Sequence, residues 1–151
     1  MGQPALPMDG ACRCGRVKIR ITAPPMLTMA CHCTGCQRMS GSAYSLSAAI
    51  PTEGFAVIEG TPVVAGAEPR IGHHFCPDCM TWMFTRIEGF EFFVNVRPTM
   101  FSDTGWYSPF VETYTSEKLA WAETPAVHAY ETFPPMEDYD MLLGAYAESR
   151  S

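Results

Sequence analysis

No stretch of this 151-residue sequence approaches the 18 consecutive apolar residues that a membrane-spanning helix needs, so we expect no membrane span. Basic residues are also few: ten Lys and Arg stand against sixteen Asp and Glu, for a formal net charge of −6. Surfaces that bind nucleic acids are usually basic, so this balance argues against a nucleic-acid partner. The first residues lack the basic and apolar segments of a signal peptide, which predicts a cytoplasmic protein.

Charged residues make up 17% of the chain and hydrophobic residues 47%, a balance that argues against global disorder. The length is typical of one domain. We expect a flexible leader at residues 1–9, the main folded domain at 10–134, and a short helix with a tail at 135–151.

Strand patterns dominate the chain. Val17, Ile19 and Ile21 alternate with polar residues, which is the period-2 pattern of a half-buried strand. Segments rich in β-branched, aromatic or alternating apolar residues predict further strands at 27–31, 44–50, 55–59, 70–75, 81–86, 90–96, 110–115 and 127–131. Helical spacing is found at 136–148, and residues 33–39 have room for at most a short helix. The sequence therefore predicts a mainly β fold of antiparallel sheets with a short C-terminal helix.

Seven cysteines carry most of the functional information. Their odd number and a reducing compartment argue against a disulfide framework. They form three local groups, spaced C-x-C, C-x-C-x-x-C and C-x-x-C, and thiolates this close in sequence can bind one metal ion. The members of the groups are Cys12 and Cys14, then Cys31, Cys33 and Cys36, and finally Cys76 and Cys79.

A closed structural zinc site needs four ligands, and two distant pairs of cysteines can supply them. Cys76-Pro77-Asp78-Cys79 is a strong half-site, and Cys12-Arg13-Cys14 is a plausible second half. The three-cysteine group would then bind a second zinc with one coordination position open, as in catalytic sites. Another grouping stays open, in which residues 31–36 pair with the C-x-x-C half-site and the first two cysteines are ordinary residues.

Three thiolates on a zinc ion leave a net charge of −1, which makes the ion a weak activator of water. Such a site suits a substrate thiol, because coordination deprotonates thiols. A thiolate held beside a carbonyl carbon can make or break a carbon–sulfur bond.

Three motifs in this order resemble the glutathione-dependent formaldehyde-activating (GFA) family over about residues 10–125. They are Cys12-Arg13-Cys14-Gly15, the stretch Cys31-His32-Cys33-Thr34-Gly35-Cys36-Gln37-Arg38-Met39-Ser40-Gly41-Ser42, and Phe75-Cys76-Pro77-Asp78-Cys79.

The resemblance implies a zinc-stabilised β-tent. It places a structural zinc on Cys12, Cys14, Cys76 and Cys79 and a second, open zinc on Cys31, Cys33 and Cys36. The implied activity is that of a carbon–sulfur lyase, S-(hydroxymethyl)glutathione synthase. Its small-molecule partners would be a thiol such as glutathione and a small aldehyde, formaldehyde.

Five further residues lie within or next to these motifs. Arg38, Ser40 and Ser42 follow the open cluster and are expected to bind substrate. The side chain of His32 is expected to point away from the metal, because it lies between two ligands. Met80 stands where the family has glycine, and a left-handed backbone there would strain methionine, so we expect a different turn.

Two alternatives to the enzyme hypothesis stay open. One is a zinc-stabilised binding module without catalysis. The other is a thiol-redox or metal-sensing protein, in which Cys31, Cys33 and Cys36 undergo reversible oxidation.

Overall fold

The structure, a computed structural model that describes residues 2–151, consists mainly of β-strands arranged in two sheets. The strands in chain order are β1 (Met8–Ala11), β2 (Lys18–Ile21), β3 (Leu27–Cys31), β4 (Ser45–Pro51), β5 (Phe55–Glu59), β6 (Val63–Ala65), β7 (Ile71–Phe75), β8 (Trp82–Ile87), β9 (Phe93–Val96), β10 (Val111–Thr113) and β11 (His128–Ala129). The α-helices are α1 (Thr34–Ser40) and α2 (Tyr139–Ser149), and short 3-10 turns cover Thr52–Gly54, Pro98–Met100, Thr115–Glu117 and Met136–Asp138. The predicted mainly β class with a short C-terminal helix is confirmed.

The smaller sheet has the strand order β1-β2-β5 and is antiparallel throughout. Ile19 and Ile21 of β2 are fully buried, while Arg20 between them is exposed and forms an ion pair with Asp9 of β1. The alternation of apolar and polar residues in β2 therefore predicts its buried face correctly.

The larger sheet has eight strands in the order β11-β10-β3-β4-β9-β8-β7-β6. Most neighbours are antiparallel, but β10 runs parallel to both β3 and β11. The sheet is therefore mixed at this edge, where antiparallel pairing was expected. Two parallel strands need a long connection. The connection from β3 to β10 is long, because it contains the six strands β4 to β9.

The predicted leader at residues 1–9 is wrong at its end, because Met8 and Asp9 belong to β1. Apolar alternation is absent from this strand, which is held by pairing with β2 and by the close approach of Gly10 to Phe101. Elsewhere the observed strands differ from the predicted ones in length or number. The strand predicted at 90–96 begins only at Phe93, and β6, which is exposed along its length, was not predicted.

Apolar side chains form two clusters. The larger cluster lies between the two sheets and includes Ile19, Ile50, Phe84 and Val94 together with the thiols of two cysteines, Cys12 and Cys76. The smaller cluster packs α2 against the larger sheet through Leu27, Val111, Leu142 and Tyr146. Across the described residues, the helices are all too short or too polar to cross a membrane.

Candidate metal centres and the adjoining pocket

The structure gathers the seven cysteines into two clusters of four and three. In each cluster the sulfur atoms all lie within 4.8 Å of one another. The four-cysteine cluster contains Cys12, Cys14, Cys76 and Cys79, and the three-cysteine cluster contains Cys31, Cys33 and Cys36. The grouping is the one that the motif spacing favours, and the alternative pairing of residues 31–36 with the C-x-x-C motif is not adopted.

The four-cysteine cluster joins two turns that are far apart in sequence. One turn connects β1 to β2, and the other connects β7 to β8. The Sγ atom of Cys14 lies 3.6 Å from that of Cys12 and 3.7 Å from that of Cys76. Zinc–thiolate bonds of about 2.3 Å in a tetrahedron place two sulfur atoms about 3.8 Å apart, so these separations fit a zinc ion.

Backbone amides support the same cluster. The amide of Val17 donates to Cys12 Sγ at 3.4 Å, and the amide of Cys79 donates to Cys76 Sγ at 3.5 Å. The Thr81 hydroxyl, 3.1 Å from Cys79 Sγ, is the main cause that lowers the pKa of Cys79 to about 5. Hydrogen bonds to the charged form favour thiolate, which is the form that binds metal.

The turn after the second pair retains the left-handed backbone. Met80 has φ +59°, and its amide donates to the Cys76 carbonyl at 2.9 Å. The expectation of a different turn is therefore wrong. The chain keeps the conformation that suits glycine and places an exposed methionine in it.

The three-cysteine cluster lies where β3 meets α1. Cys31 is the last residue of β3, and Cys33 caps the N-terminus of α1 by accepting the amide of Cys36 at 3.3 Å. Three half-buried sulfur atoms thus come from a single turn. Three sulfur ligands would leave one of the four positions of a tetrahedral metal ion open.

Contacts from a distant segment hold that turn. The Glu117 carboxylate accepts the amide of Thr34 at 2.8 Å. The Gln37 amide donates to the carbonyls of both His32 and Glu117, at 2.7 and 3.0 Å. A helix of seven residues is unstable alone, so these contacts with the 3-10 turn at Thr115–Glu117 position the cluster.

The thiols of this cluster differ in acidity. The neighbouring Cys36 thiol is the main cause that lowers the pKa of Cys31 to about 5, against the opposing effect of burial. The same interaction, together with burial, raises the pKa of Cys36. The interaction between these two thiols therefore favours the thiolate form at Cys31 and the protonated form at Cys36.

His32 is fully buried, and its ring nitrogens are not part of the group of possible metal ligands formed by the three cysteines. Its Nε2 atom lies 3.5 Å from a carboxylate oxygen of Glu112, and its ring packs edge-on against Tyr44 at 5.3 Å between centroids. These contacts agree with the expectation that His32 is not a ligand. Glu112, which sequence reasoning missed, comes from β10 and is fixed there by the unpredicted parallel pairing.

The three predicted substrate-binding residues lie around two surface pockets beside α1. Arg38 lines a pocket of about 540 Å³ with Trp121, and Ser40 lines a pocket of about 360 Å³, while Ser42 borders both. The Ser40 hydroxyl donates to the Cys36 carbonyl at 2.7 Å, so it stabilises the helix end. Because its proton is used in this bond, the Ser40 hydroxyl is a weaker candidate for binding substrate than the sequence suggests.

The smaller pocket contains a residue that sequence reasoning passed over. Arg97 follows β9, is only 8% exposed, and lines this pocket with Tyr44 and Trp82. Its guanidinium lies 3.8 Å from the centroid of the Trp82 ring. Burial lowers the pKa of Arg97 to about 10, so the side chain remains a cation at neutral pH.

Similarity to known proteins covers the part of the chain that contains the three cysteine motifs. The family model described as glutathione-dependent formaldehyde-activating enzyme matches residues 7–117. Among curated proteins, a Penicillium rubens protein is 26% identical over 146 residues, covering 89% of this chain and 75% of the relative. A Talaromyces marneffei protein is 28% identical over 126 residues, covering 76% and 66%, and a Sordaria macrospora protein is 29% identical over 93 residues, covering 56% and 39%. All three are named as candidate glutathione-dependent formaldehyde-activating enzymes.

One solved structure has the same fold. A crystal structure of a Rhodobacter sphaeroides protein matches with a TM-score of 0.51 at 21% sequence identity, and the match covers 63% of this chain and 88% of that one.

Proposed function

Because this chain belongs to the glutathione-dependent formaldehyde-activating enzyme family, we propose that it is a zinc-dependent carbon–sulfur lyase that acts on a thiol adduct. The proposed substrates are glutathione and formaldehyde, which the names of its relatives suggest. The observation that carries the proposal is the cluster of Cys31, Cys33 and Cys36, a three-thiol site next to a pocket. We further propose that the protein is cytoplasmic, where glutathione is available.

Each cluster has its own role in this proposal. The four-cysteine cluster would hold a structural zinc, since Cys12 and Cys76 are buried in the core and four sulfurs close a tetrahedron. The three-cysteine cluster would hold a zinc ion that, when bound, keeps a substrate thiol as thiolate in the open position. Three thiols suit zinc because sulfur donors select soft and borderline metals.

The residues around the three-cysteine cluster would position the reactants. In the synthetic direction the thiol sulfur of glutathione attacks the carbonyl carbon of formaldehyde, one carbon–sulfur bond forms, and the thiol proton ends on the former carbonyl oxygen. Arg38 and the backbone near Ser40 and Ser42 would border the bound thiol, because they line the two pockets beside α1. Glu117 and Gln37 would keep the turn fixed during this exchange.

Metal analysis combined with turnover tests the proposal. We expect two zinc equivalents per chain, and faster exchange between formaldehyde and S-(hydroxymethyl)glutathione than in buffer, followed by NMR with ¹³C-formaldehyde. The Cys36→Ser variant should retain one zinc and lose the rate enhancement. A protein with a single zinc and the buffer rate after reconstitution would contradict the enzyme.

A redox function is the second candidate, favoured by the low pKa of the half-buried Cys31 thiol. Thiolates of this kind are the ones that oxidise readily. This function predicts that mild peroxide links Cys31 reversibly to Cys33 or Cys36 in the protein as isolated, with the four-cysteine cluster unchanged. Under the lyase function, bound zinc protects these thiols, and peptide mapping distinguishes the two.

A further inference from the structure

Arg97 is a buried cation without an acidic partner. In the described part of the chain no Asp or Glu oxygen lies within 4.0 Å of its guanidinium, and every ion pair there involves other residues. Buried charges are normally paired, because removing a charge from water is unfavourable. A counter-ion is therefore missing from the contacts of this side chain.

The hydrogen bonds of Arg97 leave part of its donor capacity unused. One terminal nitrogen donates to the Leu46 carbonyl at 2.8 Å, and the other donates to the Thr85 hydroxyl at 3.1 Å. The Nε atom is buried with no acceptor. Since arginine carries five N–H donors, more than half of them lack an acceptor within the protein, and Trp82 fixes the plane of the guanidinium from one face.

The pocket in front of Arg97 has room for a small molecule and has no acidic lining residue. Its volume is about 360 Å³, and its other walls are hydroxyl, aromatic and aliphatic side chains, among them Tyr44, Leu46, Trp82 and Thr99. Walls of this kind exclude water from one side of a ligand and strengthen its attraction to the arginine.

The pocket also adjoins the three-cysteine cluster. Ser45, which lines it, is paired with Cys31 across β3 and β4, and its side chain interacts with the Cys36 thiol. Arg97 in turn interacts electrostatically with Cys36 and Cys31. A ligand with a sulfur atom at the cluster could thus extend into the pocket toward the guanidinium.

We propose that this pocket, between the three-cysteine cluster and Trp82, binds the carboxylate of the substrate thiol, with Arg97 as its counter-ion. The inference rests on the proposed function and names the group of the substrate thiol that the pocket would recognise, its carboxylate. A carboxylate is the expected anion because the planar guanidinium can bind its two oxygens with parallel N–H donors. Neutral thiols, in contrast, would leave the buried charge unpaired.

Calorimetric titration of the zinc-loaded protein tests this subsite without any reaction. The probe is S-methylglutathione, which has no thiol proton and retains both carboxylates, and the comparison ligand is its dimethyl ester. We expect the ester to bind roughly 10- to 100-fold more weakly, the range for loss of a charge-assisted hydrogen bond. Equal affinity of the wild-type protein for the acid and the ester would overturn the inference, whatever any variant does.

Variants assign the effect to one side chain. Arg97→Met should weaken binding of the acid 10-fold or more and leave binding of the ester unchanged, while Arg97→Lys should fall between. Arg86→Met is the matched control, because Arg86 is an exposed arginine of β8 that also lies over aromatic rings and is not among the residues that line the pocket. It should bind both ligands like the wild type. Circular dichroism verifies folding, and the wild-type comparison of the two ligands decides the question if Arg97→Met does not fold.

The outcomes separate this subsite from its rivals and from the proposed function. If Arg97→Met loses one zinc equivalent but still prefers the acid as strongly as the wild type, Arg97 only balances the thiolates and the inference is wrong. Absence of turnover, with the acid preference and its dependence on Arg97 intact, contradicts the lyase and supports the carboxylate subsite. Turnover without any preference for the acid contradicts the subsite alone.

Discussion

Met80 offers a test of backbone strain next to the four-cysteine cluster. Its φ of +59° lies in the left-handed region, which is unfavourable for a non-glycine residue by about 1–2 kcal/mol. Glycine relieves that strain but gives the unfolded chain more freedom, which offsets about 0.4–1 kcal/mol. The Met80→Gly variant should therefore be more stable than Met80→Ala by about 0.5–1 kcal/mol. Both variants remove the same partly exposed side chain, so its packing cancels in the comparison.

Guanidinium denaturation followed by circular dichroism at fixed zinc concentration measures the difference, since metal binding shifts apparent stability. In thermal unfolding, 1 kcal/mol corresponds to about 2–4 °C for a chain of this size. Two controls bracket the result. Gly41→Ala should destabilise by about 1 kcal/mol, because Gly41 has φ +60° and open space around its Cβ position. Ala147→Gly, at an exposed position of α2, should show the ordinary order, with alanine the more stable.

A Met80→Ala variant as stable as Met80→Gly, or more stable, would contradict backbone strain at this position. That result would mean that the turn relaxes out of the left-handed region once the methionine is removed. A loss of zinc in either variant, detected by metal analysis, would show instead that the Met80 side chain supports the cluster.

Three further predictions concern the core and the clusters. Burial lowers the pKa of His74 below 6.5, so the unfolded chain binds a proton more readily and stability should fall as pH drops below about 6.5. The His74→Phe variant can keep the stack on Phe84 and should flatten this dependence in denaturation curves at pH 5–8. An unchanged slope would contradict the assignment to His74. Tyr107→Phe removes the hydrogen bond to the Met29 carbonyl and should lower the unfolding free energy in urea by about 1–2 kcal/mol, whereas an unchanged midpoint would show that this carbonyl finds another donor. Cys76→Ser should destabilise the fold by at least about 2 kcal/mol and Cys36→Ser by much less in thermal unfolding; equal losses would assign structural roles to both clusters.

Local chemistry made the cysteine clusters predictable. Thiols one or two residues apart converge on a turn whatever the rest of the fold does, and four ligands are what a closed zinc site requires. Spacing together with the family resemblance therefore favoured Cys12 and Cys14 with Cys76 and Cys79, although spacing alone left another grouping open. Alternation predicted β2 for a similar reason, since a strand with one face in the core needs apolar residues at every second position.

Features that depend on distant pairing could not be predicted in this way. The parallel position of β10 follows from a connection that returns across the sheet, and it brings Glu112 to His32. The burial of Arg97 depends on Trp82 from the neighbouring strand, and a lone arginine in a sequence usually indicates a solvated surface. The turn at Met80 was mispredicted because the cluster geometry outweighs the preference of one residue.

The two clusters differ in what holds them together. Apart from the packing of Cys12 and Cys76 in the core, the turns that carry the four-cysteine cluster are joined by the hydrogen bond from the Arg13 amide to the Thr81 hydroxyl and by an exposed ion pair between Arg16 and Asp78. Exposed ion pairs contribute little, so a metal ion would be the main link there. The three-cysteine turn is instead fixed by Glu117 and Gln37 without any metal. A site held by protein contacts can exchange its fourth ligand without losing its shape, which is the property that a substrate-binding centre needs and a structural one does not.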